Sequence, residues 1–143
     1  MTGTHDQAGD ADDQEHSLES LVHEGDVVML TTDLDGQLSS RPLTVAGVGG
    51  GTLQFLVDGT AGWVKALSAA SEANASIATR RNDWVSVTGP TAISTDPEAI
   101  TRLWSPAAGA YFDGADDPRI RVMQLRMEHG EYWSAPGHGP LGR

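Results

Sequence analysis

The residues best suited to chemistry sit in one stretch, Gln37–Ala46, with Ser40-Arg41-Pro42 at its centre. An arginine in a mostly apolar strand is costly unless a fixed partner receives its charge. Pro42 removes a ladder hydrogen bond, so this part of the strand must be an edge, a bulge or a bend. Ser40 adds a hydroxyl beside the guanidinium. Together the three residues describe one wall of an anion-binding groove. The alternative is that Arg41 is solvated or paired with one of the chain's many carboxylates. A second candidate wall follows the next strand, where Asp58-Gly59-Thr60 leads into a helix carrying Lys65 near its start. Such a junction offers free backbone N–H groups and the positive end of the helix dipole to an anion. The alternative there is a capped helix with an exposed lysine.

The 143 residues fit one domain with a moderate core. A formal net charge of -11 opposes nonspecific binding to nucleic acid or to anionic membranes. Any anionic ligand must therefore be held by a local cluster of positive groups, and Lys65 is the only lysine. The absence of cysteine excludes disulfides, thiolate catalysis and cysteine-bound zinc. No apolar run is long enough to span a bilayer, and the N-terminus lacks the basic start and apolar stretch of a secretory signal. The expected location is cytoplasmic.

The elements that position these residues are short. Residues Met1–Glu15 form an acidic tail expected to be disordered. Residues 16–136 form the domain, and 137–143 a loose Gly/Pro tail. Ser17 caps a short helix to Glu24, with Leu18, Leu21 and Val22 on one face. Asp26–Thr32 is a strand whose continuous apolar centre predicts burial on both faces. Asp33–Gly36 is a hairpin turn, and the following strand runs from Gln37 to about Val48. Gly49–Gly51 turns the chain into the strand Thr52–Val57. The next helix, Ala61–Ala70, carries Trp63, Ala66, Leu67 and Ala70 on one stripe. Strands follow at Ala75–Thr79 and Trp84–Ser94, the second broken by Gly89-Pro90. Asp96-Pro97 starts a helix with Ile100, Leu103 and Trp104 on its apolar face. Ser105–Phe112 is a second helical piece. Ile120–Met127 and Glu131–Ser134 complete the strands.

Other motifs fail for lack of context. Asp33-Leu34-Asp35-Gly36 lacks the rest of a calcium loop. Gly137–Gly142 fits G-x-G-x-x-G, but no strand closely precedes it and no helix can follow. His5 and His16 are not spaced as metal ligands, and His23, His129 and His138 are isolated. There is no G-x-S-x-G, H-E-x-x-H or P-loop.

Helix, three strands, helix, two strands, two short helices and one or two further strands, mostly joined by tight turns, suit a small antiparallel barrel. Four stretches, Met29–Leu43, Trp84–Ile93, Leu103–Pro118 and Glu131–Pro136, carry a resemblance to a known family. The chain resembles the general stress protein 26-like branch of the pyridoxamine 5′-phosphate oxidase-related, FMN-binding split barrels. The resemblance implies a mainly β fold: a six-stranded antiparallel split barrel with short peripheral helices. It also implies a homodimer with FMN between the subunits. In it Ser40, Arg41 and Pro42 would lie along the flavin. Asp58, the backbone near Thr60–Gly62 and Lys65 would stand at the phosphate, and Trp104 or Tyr111 would pack near the ring from the partner chain.

The resemblance breaks at the phosphate. Relatives carry a stretch like T-D-x-x-S-x-K, and the matching positions here are Val57, Asp58, Ala61 and Trp63. Each lost charge-assisted hydrogen bond is worth roughly 1.5–3 kcal/mol. Three readings follow: an FMN-binding dimer that acts as an oxidoreductase, a degenerate barrel that has lost FMN and acts as a structural or interaction protein, or a binder of a deazaflavin such as F420.

Overall fold

The computed structural model describes residues 16–67, 71–135 and 137–142. The acidic tail and Ala70 lie outside them. Among the described residues nine strands form one sheet, and every strand pair is antiparallel. The strands are β1 (Val27–Leu34), β2 (Gln37–Thr44), β3 (Gly47–Gly49), β4 (Thr52–Asp58), β5 (Glu72–Ala78), β6 (Trp84–Ser94), β7 (Ile120–Arg126), β8 (His129–Ser134) and β9 (Gly137–Pro140). Three short helices, α1 (Leu18–Leu21), α2 (Gly62–Lys65) and α3 (Pro97–Leu103), and a 3₁₀ turn at Pro106–Ala110 lie around them. β1, β2, β4, β5, β6 and β7 are the six longer strands of a split barrel. β3, β8 and β9 are short additions.

The order β2-β1-β5-β6-β7-β4-β3 leaves β2 at one edge, with β4 and the short β3 at the other. The chain passes between these edges through Val45–Ala46. The Val45 amide bonds to Asp26 and the Ala46 amide to Gln54, so this dipeptide stitches one end of the barrel shut. That is why the strand expected to run unbroken to Val48 divides into β2 and β3. Beyond the stitch β2 and β4 part, and the split opens there.

Local chemistry explains most of the elements. Asp35 and Gly36 have φ of 55° and 80°, which gives a two-residue hairpin between β1 and β2. At Gly89 a Cβ would run into the Arg126 carbonyl. There β6 bends and exchanges one neighbour: residues 84–88 pair with β8 and residues 91–94 with β7. Ser17 accepts from the Ser20 amide at 3.3 Å, and Asp96 accepts from the Glu98 amide at 3.1 Å.

The main core gathers Leu18, Leu21, Val28, Leu30, Phe55, Val85, Val87, Met123 and Leu125 inside the barrel. A second cluster seats α3 on the outer face of β4 and β7, through Ile100, Leu103, Ile120 and Val122.

Several expectations change. β1 is buried on one face only: Val28, Leu30 and Thr32 point inward, while Val27 and Met29 are exposed. The apolar run therefore marked an outward apolar face, not a second buried one. α1 and α2 are each a single turn, shorter than expected. The segment from Gly137, expected to be loose, forms β9 along β8. Gly139 lies against the Tyr132 ring, and Leu141 inserts into the main core, which holds the segment down despite its Gly/Pro content.

Candidate functional site

Where β2 and β4 part there is an open cavity of about 700 Å³. That is the size of a small-molecule site. β2 gives Arg41–Thr44, β4 gives Leu56–Asp58, the start of the α2 region gives Ala61 and Trp63, and the loop after α3 gives Ser105–Ala108, Tyr111 and Phe112. The walls are mainly apolar. Among the described residues, Glu24, Arg41 and Asp58 are the charged ones lining it.

Arg41 faces the same side of the sheet as its cross-strand partner Leu30. Its Nη1 donates to Thr32 Oγ1 at 2.9 Å and its Nη2 to Ser39 Oγ at 2.7 Å. Its Cζ lies 4.4 Å from the Trp63 ring centroid, a cation–π stack. Burial pulls the guanidinium below its ordinary value, without threatening its charge. Among the described residues its hydrogen-bond partners are all uncharged. A guanidinium has five N–H donors, so some remain for a ligand.

Ser40 alternates to the other face, where its hydroxyl meets that of Thr31 at 2.6 Å. Arg41 and Pro42 line the cavity and Ser40 does not.

At the second wall, Asp58 is occupied locally. Its carboxylate accepts from the Thr60 hydroxyl at 2.6 Å and the Thr60 amide at 2.8 Å. Its carbonyl accepts from the Ala61 amide. The Thr60 hydroxyl and then its amide hold the Asp58 carboxyl below its ordinary value. Thr60 is exposed, and Lys65, at the end of α2, is exposed and outside the cavity. Val57 is buried in the barrel core. Tyr111 lines the cavity mouth and is exposed, while Trp104 caps α3 and packs on the second cluster. Of the eight residues singled out from the sequence, Arg41, Pro42, Asp58 and Tyr111 meet at the cavity. Ser40, Thr60, Lys65 and Trp104 stand outside it.

Sequence reasoning missed Asp117 and Arg119. Asp117 is buried and accepts from Arg119 Nη2 at 2.7 Å, Arg119 Nε at 3.1 Å and the Asp113 amide at 3.0 Å. The Arg119 side chain first, then the Asp113 and Arg119 amides, hold this carboxyl far below its ordinary value. Arg119 also reaches Asp58 at 3.8 Å and lies over the Phe112 ring. It therefore ties the cavity's far wall to the end of β4. The signal was present in Asp116-Asp117-Pro118-Arg119: two carboxylates, a proline and an arginine at the end of the loop. His16 stacks on Tyr132. His5 lies outside the described residues.

A barrel split along one seam, with a mainly apolar cavity in the split, is a small-molecule-binding architecture. Residues 13–142 match the pyridoxamine 5′-phosphate oxidase-like family model, and the chain belongs to that family. It is 27% identical to Protein bli-3 of Neurospora crassa, covering 85% of this chain, and it spans 65% of that protein's length. The General Stress Protein 26 of Bacillus anthracis superposes with a TM-score of 0.74 at 13% identity, over 90% of this chain and 98% of that one. The general stress FMN/FAD binding protein of Xanthomonas citri superposes with a TM-score of 0.68 at 25% identity, over 76% and 80%. Among the described residues no helix is long and apolar enough to cross a membrane.

Proposed function

We propose that this protein binds a flavin, with the isoalloxazine ring in the cavity between β2 and β4, and that it does so as a homodimer. The observation that carries the reading is Arg41: a charged, half-buried donor lining an otherwise apolar cavity, with only uncharged hydrogen-bond partners among the described residues. The acceptor edge of a flat ring suits its remaining N–H groups. Pro42, Leu43, Trp63 and Phe112 supply apolar contact. A bound flavin would supply hydride chemistry, and the protein would supply orientation and electrostatics. The dimer is supported by the exposed Val27 and Met29 on the outward face of β1, beside Pro42 and Thr44 of β2.

A second reading, a barrel that has given up FMN, is favoured by the lack of phosphate donors at Val57, Ala61 and Trp63. A visible absorbance spectrum of the purified protein, followed by FMN titration read by flavin fluorescence, separates the two. Saturable micromolar binding supports flavin binding. A colourless protein that does not quench flavin at hundreds of micromolar rejects it.

A further inference from the structure

We infer that the cavity selects the flavin ring and works against the phosphate, so that riboflavin binds at least as tightly as FMN; this rests on the flavin reading above. The argument is one of charge and donor supply. Two acidic residues, Glu24 and Asp58, line the cavity against one arginine, Arg41. A phosphate monoester brings close to two further negative charges.

The one cation is already engaged. Arg41 donates to Thr32 and Ser39, and one face of its guanidinium is covered by Trp63. What it has left is one positive charge and a few N–H groups, too little to balance a phosphate dianion beside two acidic residues. The cations nearby are committed elsewhere or lie outside the lining. Lys65 is not a lining residue, Arg119 is committed to Asp117 and Asp58, Arg80 pairs with Asp26, and Arg121 donates to the Pro118 and Ile120 carbonyls. The Thr60 hydroxyl and the Thr60 and Ala61 amides, which a phosphate would want, are all turned onto Asp58. Neutral donors at the lining, the hydroxyls of Thr44, Ser105 and Tyr111 among them, bring no positive charge to set against a phosphate. A neutral ring avoids the repulsion and keeps the apolar contact with Trp63, Leu43 and Phe112.

The experiment is a pair of titrations of the full chain, with riboflavin and with FMN, read by flavin fluorescence at low and at physiological salt. The expected result is a riboflavin Kd equal to or below that of FMN. FMN binding should tighten as salt screens the repulsion, while riboflavin binding stays constant. Glu24 is exposed, so Glu24→Gln removes one negative charge without disturbing the core. It should tighten FMN binding a few-fold more than it changes riboflavin binding. FMN binding more tightly than riboflavin in the wild type overturns the inference and leaves the flavin reading standing. An FMN affinity indifferent to both salt and Glu24→Gln also overturns it. Binding of neither compound overturns both.

Discussion

The Arg41 guanidinium lies over the Trp63 indole, with Cζ 4.4 Å from the ring centroid. The contact joins the edge strand β2 to the α2 region across the split, so one pair of side chains defines one end of the cavity. Arg41→Ala removes the stack and the bonds to Thr32 and Ser39. Loss of a charged hydrogen bond of about 1.5–3 kcal/mol should weaken flavin binding roughly ten- to hundredfold. Arg41→Lys should recover little, because an ammonium neither stacks as a plane nor spans both hydroxyls. Titration of the three proteins with one flavin checks this.

Asp117 makes stability depend on pH. Its folded carboxyl is held below the ordinary value, chiefly by the Arg119 side chain. The stabilisation is therefore fully present above the unfolded value near ~3.9, and is lost as pH falls through the folded one. Asp117→Asn should lower Tm at neutral pH and flatten the acid limb of the Tm–pH curve. A variant with the same acid limb as the wild type would show that the Asp117–Arg119 pair does not tie down this loop.

Gly89 has no room for a side chain, since a Cβ would meet the Arg126 carbonyl. Gly89→Ala should destabilise the fold by about 1–3 kcal/mol or more. Gly49→Ala, where a Cβ meets nothing within 4 Å and φ is ordinary, should change little. Chemical denaturation of both variants tests whether the bend in β6 depends on that close approach.

The proposed homodimer would form on the outward face of β1. Light scattering should give twice the chain mass for the wild type. Met29→Glu, on an exposed apolar position, should shift it to the monomer without lowering secondary structure. A monomeric wild type would contradict the homodimer.

Much of this architecture was legible because it rests on short-range chemistry. The Asp35-Gly36 hairpin, the Ser17 and Asp96 caps and the Gly89-Pro90 bend each announce themselves in a few residues. What escaped depends on contacts distant in sequence. The apolar run of β1 gave no sign of which face the barrel would cover. The segment Gly137–Pro140 reads as a linker until Tyr132 and the core pocket for Leu141 are in place. The site was half legible for the same reason. Ser40 and Arg41 are neighbours, but strand alternation sends them to opposite faces. Arg119 came to brace Asp58 at the end of β4 only when the loop folded back onto it.

A crystal structure of the protein grown with riboflavin tests the central claim most directly. The account predicts the isoalloxazine ring between β2 and β4, with a ring acceptor on the Arg41 guanidinium and the ring beside Trp63. A flavin bound elsewhere, or a cavity that stays empty at saturating riboflavin with Arg41 turned to solvent, would contradict it.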